Sequence, residues 1–157
     1  RDVKERNHTE QEVLSEMERR KYDNEKYIKP QAKRADVIFT LMPINIELFE
    51  QYRSIKSNIK VRACIKHGIY YSELVKILIG VCGLQVNIES VDENGEVVLE
   101  ISGDVLSEDI RLAANILVPH MEELFDFSVE FSEGVQGIMQ VITLMEIDEA
   151  LKRRRSP

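Results

Sequence analysis

The pair Asn94-Gly95 stands between two stretches of alternating apolar residues, the arrangement that a tight β-hairpin turn requires. Both residues accept the positive φ that such a turn imposes. The flanking stretches, Gln85 to Val91 and Glu96 to Ser102, are therefore expected to pair antiparallel. Val86, Ile88 and Val91 face the core from one strand and Val97, Leu99 and Ile101 from the other, leaving Glu89, Glu96 and Glu100 to solvent. A chain built around this ribbon must supply apolar helices to cover one face of a sheet.

The remaining periodicities supply them. Asn58 to Lys66 alternates Ile59, Val61, Ala63 and Ile65 against polar residues, which predicts a strand with one buried face. Ser72 is expected to cap a helix from Glu73 to Cys82 that is apolar nearly all round and stopped by Gly83. Ser107 opens another helix, with Ile110, Leu112, Ala113, Ile116 and Leu117, which Pro119 kinks or follows with a second turn that runs to Phe125. Phe127, Val129 and Phe131 alternate as a strand would. From about Val135 to Arg155 the spacing predicts a long helix with Ile138, Met139, Ile142 and Met145 on its inner stripe, closed by Ala150 or Leu151. Ile44 to Lys56 reads as a partly helical connection. The fold class is mixed α/β, a mixed sheet with antiparallel extension and flanking helices on one face.

Upstream, Thr9 and Glu12 form a capping box, so a helix should begin at Glu10, bury Val13, Leu14 and Met17, and end near Tyr22. Pro30 is expected to break the chain. Asp36 to Met42 is apolar on both faces and reads as an interior strand stopped by Pro43. Two arginine groups bracket the helix: Arg1 and Arg6 before it, Arg19 and Arg20 at its end. On spacing alone, Arg19, Arg20 and Lys21 offset the helix macrodipole on a solvated face. The sharper reading is an anion site, because guanidinium forks bind phosphate oxygens bidentately.

Charge divides the chain. Residues 1–35 carry ten Lys and Arg against eight Asp and Glu, a net of +2, and the remainder carries eleven against twenty, a net of −9. An acidic remainder argues against nucleic-acid binding. Lys152 to Arg155 reads as dipole compensation at a helix end. No apolar run reaches the roughly 18 residues of a spanning helix, so no membrane segment is expected. Cys64 and Cys82 make no disulfide framework and read as reduced, buried thiols of a cytoplasmic protein. His67 and His120 have no partner at metal or triad spacing, and no metal site is expected in this chain.

The segment Arg1-Asp2-x-x-x-Arg6, followed by Arg19-Arg20, Asp23, Tyr27-Ile28-x-Pro30-Gln31 and Ala35-Asp36-Val37, resembles the lid and following strand of the phosphoribulokinase and uridine kinase family, most closely its phosphoribulokinases. Asn7-His8 stands where the family often has Gly-His, and Tyr22 where a proline often precedes the aspartate. Gly103 to Ser107 and Gly137 to Met145 echo the closing segments of the longer members. The resemblance implies the C-terminal part of a P-loop kinase fold, with residues 1–43 as lid helix and core strand. Residues 44–157 would then be a C-terminal extension of the sheet and a dimerisation region. It implies catalytic roles for Arg1, Asp2 and Arg6, and phosphate binding, to nucleotide or substrate, by His8, Arg19 and Arg20. The partners implied are ATP and a sugar phosphate, with Mg, in a homodimer.

No GxxxxGK[ST] phosphate loop occurs in the sequence. ATP and Mg would therefore be held mainly by an N-terminal half that precedes this sequence, an expectation that the start at Arg1 in mid-motif also suggests. This chain alone is not expected to be active. The activity implied is conversion of ribulose 5-phosphate to ribulose 1,5-bisphosphate; the alternatives are a uridine kinase-like enzyme or a non-catalytic anion-binding or dimerisation module.

Overall fold

The computed structural model describes residues 10–45, 59–67, 70–125 and 128–155, which group into two compact units, 1–35 and 36–157. The first unit is helical. Helix α1 runs Glu10–Asp23, beginning where the sequence places it, although Thr9 of the capping box lies outside the described residues, as do the side chains of Val13, Leu14 and Met17. Pro30 does not break the chain. A single π turn, Asn24–Ile28, leads into a short helix α2, Lys29–Ala32, with Pro30 in its first turn. A proline lacks only an N–H that the first turn leaves unbonded, and a widened π turn makes room for its ring.

The second unit is a four-stranded antiparallel sheet in the order β1-β2-β4-β3. Its strands are β1 (Val37–Pro43), β2 (Ile59–Ile65), β3 (Gln85–Val91) and β4 (Val97–Ser102). Helices α3 (Tyr71–Gly80), α4 (Ser107–Leu117), the short α5 (Met121–Leu124) and α6 (Gly134–Arg155) complete it. Alternation fixes which face is covered. Val61, Ala63 and Ile65 of β2 and Val97, Leu99 and Ile101 of β4 are fully buried against Leu74 and Leu78 of α3, Ile110 of α4 and Ile138 and Ile142 of α6. This is the one-sided helix cover expected from the sequence. The hairpin is also as expected: Gly95 turns at φ +83°, and the Asp92 carboxylate accepts from the Asn94 and Glu96 backbone N–H groups at 2.9 and 2.7 Å.

Several expectations are corrected. β1 is an edge strand of the described sheet, not an interior one, and Thr40 and Leu41 are exposed, because a strand with one neighbour has one open flank. Ser72 does not cap α3; the helix starts two residues earlier than expected, at Tyr71, and has no side-chain cap. Nor is α3 packed all round: Leu74 and Leu78 are buried, but Ile79 is 49% exposed. In β3, Ile88 and Val91 are 44% and 48% exposed although they lie opposite the buried Leu99 and Val97, because β3 is an edge strand with one open flank. The Ile44 to Lys56 connection falls largely outside the described residues.

Of the expected strand at 127–131, the described residues 128–131 form none. Phe127 lies outside the described residues, and Val129 and Phe131 pack half-buried on the core without joining the sheet. Backbone groups of the neighbouring Glu130 and Ser132 are satisfied by a side chain. Gln140 of α6 donates from Nε2 to the Glu130 carbonyl at 3.1 Å and accepts at Oε1 from the Ser132 N–H at 2.8 Å, so one amide performs the part of a neighbouring strand.

The sheet face opposite the core carries charge. Arg62 reaches over β4 to Glu89 of β3 at 2.7 Å, and Lys60 meets Glu100 at 2.8 Å. Arg62 and Glu89 remain substantially in contact with water. Arg62→Ala is therefore expected to shift the urea unfolding free energy by less than about 1 kcal/mol; a larger loss would mean that the pair is desolvated.

Candidate phosphate-binding segment and the buried groups

Of the residues singled out from the sequence, Arg1, Asp2, Arg6 and His8 lie outside the described residues. Arg19 and Arg20 are described. They occupy successive positions near the end of α1, with Arg20 and Lys21 in its last turn, and both are exposed. Successive helical residues point about 100° apart. The two guanidinium groups thus fan over one side of the helix end rather than stacking in a row.

The next turns are tied by their own side chains. Lys26 lies over the rings of Tyr22 and Tyr27, 5.2 and 5.1 Å from their centroids, and donates to the Tyr22 hydroxyl at 3.1 Å. Hydrogen bonding to Tyr22, and then to Tyr27, raises the Lys26 ammonium above its ordinary value, so it stays charged at neutral pH. Lys29 pairs with Glu25 one turn earlier. Lys26 therefore carries positive charge toward Pro30, whereas Glu25 offsets that of Lys29.

In the second unit the two cysteines are free, as expected, and neither is a thiolate at neutral pH. Burial, with Asp109 nearby, pushes the Cys82 thiol up to about 11, and burial with Glu96 raises Cys64. His67 and His120 are exposed. His67 lies 3.9 Å from Asp36, a residue remote in sequence, and His120 lies 3.5 Å from Glu123. Among the described residues no group of carboxylates, histidines and cysteines could hold a metal, and no helix is long and apolar enough to cross a membrane. An open cleft of about 700 Å³ runs beside α4, with Arg111 and Asn115 on one side and Ser128, Val129 and Phe131 on the other.

One buried group escaped the sequence reading. Glu146 of α6 is only 7% exposed, and its Oε2 is buried with no hydrogen-bond partner. Burial pushes it up to about 7; Arg153 pulls it down, and the nearby Asp36 and Glu149 carboxylates each add a smaller upward push. A signal existed: Glu146 falls four residues after Ile142 and eight after Ile138, on the stripe that packs inward.

The arginine-bearing helix and the strand that follows it can be set beside known proteins. Residues 1–46 match the model of the phosphoribulokinase / uridine kinase family. The match spans α1, the π turn, α2 and β1, which is the stretch whose arginines, Tyr27 and Pro30 carry the resemblance. It covers less than a third of the chain. No curated protein and no solved structure matches the chain. Residues 47–157, which contain β2 to β4 and α3 to α6, thus have no counterpart in these comparisons.

Proposed function

We propose that this chain is the C-terminal portion of an ATP-dependent sugar-phosphate kinase of the phosphoribulokinase type, and that it supplies the lid arginines. The observation that carries the proposal is the family match over residues 1–46, the stretch in which the arginines bracket one helix. In this reading Arg1 and Arg6 contact the phosphoryl group in transfer, Asp2 orders them, and His8, Arg19 and Arg20 line the phosphates of nucleotide and substrate.

The chemistry follows from charge. A phosphoryl group passing between two oxygens spreads negative charge over its remaining oxygens, and guanidinium forks held nearby lower the energy of that state. Closing a helix that bears arginines over the site also excludes water, which strengthens every one of these contacts. The substrate hydroxyl of ribulose 5-phosphate gains the phosphoryl group and ADP leaves. The residues described here do not fit a site for Mg or the ATP phosphates: there is no phosphate loop in the sequence and no metal-binding cluster among the described residues. Both therefore belong to a preceding half of the enzyme in this proposal. The extension from β2 onward is proposed as a scaffold and homodimer surface in a cytoplasmic enzyme.

The test is ADP release by the protein in Mg-ATP, with ribulose 5-phosphate and uridine offered separately, together with its intact mass. Release with ribulose 5-phosphate alone, at a mass well above this chain, supports the proposal. Release with uridine alone makes it a uridine kinase. No release with either, at the mass of this chain, favours a non-catalytic anion-binding or dimerisation module, a reading that the missing phosphate loop supports.

A further inference from the structure

Glu146 stands where an apolar residue would be expected. Its helix, α6, packs on α4, β1 and β2. Toward the core those elements present Ile110, Ala113 and Ala114 from α4, Val61, Ala63 and Ile65 from β2, and Val37 and Phe39 from β1. Lys60 and Arg62 of β2 alternate to the opposite face, where Glu100 and Glu89 pair with them. The charges that reach Glu146 are Glu149 and Arg153 of its own helix and Asp36 just before β1. Of the other basic residues at this end of the helix, Lys152, Arg154 and Arg155, Lys152 is held by Asp148 and Glu149 at 2.8 and 2.9 Å. Asp36 has His67 3.9 Å away.

An ionised carboxylate here would be stripped of most of its water, with one oxygen unbonded and two more carboxylates close by, and the pull of Arg153 does not make up for the lost hydration. A neutral carboxylic acid avoids most of that cost. We propose that Glu146 is a proton-operated latch: as the neutral acid it lets the C-terminal half of α6 lie on β1 and β2, and loss of its proton releases that half from the sheet.

The sign follows from linkage. A carboxyl group raised in the folded state favours that state fully below its ordinary value near 4.5, and the advantage is lost as pH rises through about 7. If the released helix returns Glu146 to its ordinary value, the opening equilibrium of this half of α6 rises about thirty-fold between about pH 5.5 and about pH 8.5.

Hydrogen exchange read by mass spectrometry on the whole chain, corrected for intrinsic exchange rates, measures that equilibrium for the amides from Val141 to Leu151. The expected result is an approximately thirty-fold loss of protection over that range in the wild type and none in Glu146→Gln, which carries no ionisable group. Protection independent of pH in the wild type, or the same dependence in Glu146→Gln, overturns the proposal. Should Glu146→Gln fail to fold, titration of the Glu146 side-chain carboxyl by carbon NMR decides. A midpoint near 7 supports the latch and one near 4.5 overturns it.

Discussion

Gly137→Ala is expected to destabilise the second unit by about 3 kcal/mol, at the upper end of what overpacking a core costs. A β-carbon at this position would fall inside the envelope of the Ser132 carbonyl oxygen and 2.9 Å from Cγ1 of Ile110. Neither neighbour can move cheaply. The carbonyl is backbone, and the N–H of the same residue is held by Gln140; Ile110 is fully buried. The glycine is a matter of space rather than of unusual backbone, since Gly137 lies within α6 and is absent from the glycines with positive φ. Relieving the clash means moving α6 away from α4 or pushing the 128–132 segment outward, and each loses buried contacts. Denaturant unfolding of the variant beside the wild type checks this; a midpoint unchanged within error would mean that α6 is seated more loosely than the structure shows.

In the longer enzyme of the proposed reading, Arg6→Ala is expected to lower kcat about a thousand-fold, the order typical of an arginine that neutralises a transferring phosphoryl group. Such a contact strengthens as charge develops, so the loss should fall on turnover more than on KM. The same substitution should leave the unfolding transition in place. Steady-state ADP release, measured with circular dichroism on the same samples, separates the two effects. Near-normal turnover would remove Arg6 from the catalytic set. Parallel Arg19→Ala and Arg20→Ala variants would show whether the end of α1 faces the same phosphates.

The elements that could be read from the sequence were those whose cause is local. Asn94-Gly95 dictates its own turn, and the strands on either side follow from it, as do the buried faces of β2 and β4. The start of α1 and the extent of α6 follow from periodicity in the same way. What could not be read depends on neighbours that the sequence does not order. Asp36 to Met42 is apolar enough for an interior strand, but its place at the sheet edge is decided by which strands exist to pair with it. Val129 and Phe131 alternate like a strand, and only the reach of Gln140 from α6 removes the need for one. Ile88 and Val91 are three apart, and only a bulge between them sets both opposite core residues of β4, while the open edge of β3 leaves them exposed.

The candidate site divides along the same line. Its arginine pattern was visible as a pattern, and the family match falls on the same residues. Glu146 lies in the run Leu144-Met145-Glu146-Ile147-Asp148, where charge suggests a solvated face while the spacing from Ile138 and Ile142 puts it on the inward stripe. The packing of α6 decides for the stripe.

The amide of Gln140 has a mechanical meaning beyond satisfying two backbone groups. It needs both a donor and an acceptor, so neither glutamate nor leucine can replace it, and through it the stretch from Glu130 to Ser132 is fastened to a helix instead of woven into the sheet. That stretch continues into one wall of the 700 Å³ cleft, whose opposite wall is Arg111 and Asn115 of α4. The cleft is therefore tied to α6 through one side chain, although no residue of that helix lines it, and a movement of α6 that carried Gln140 with it would pull on Glu130 at the cleft wall.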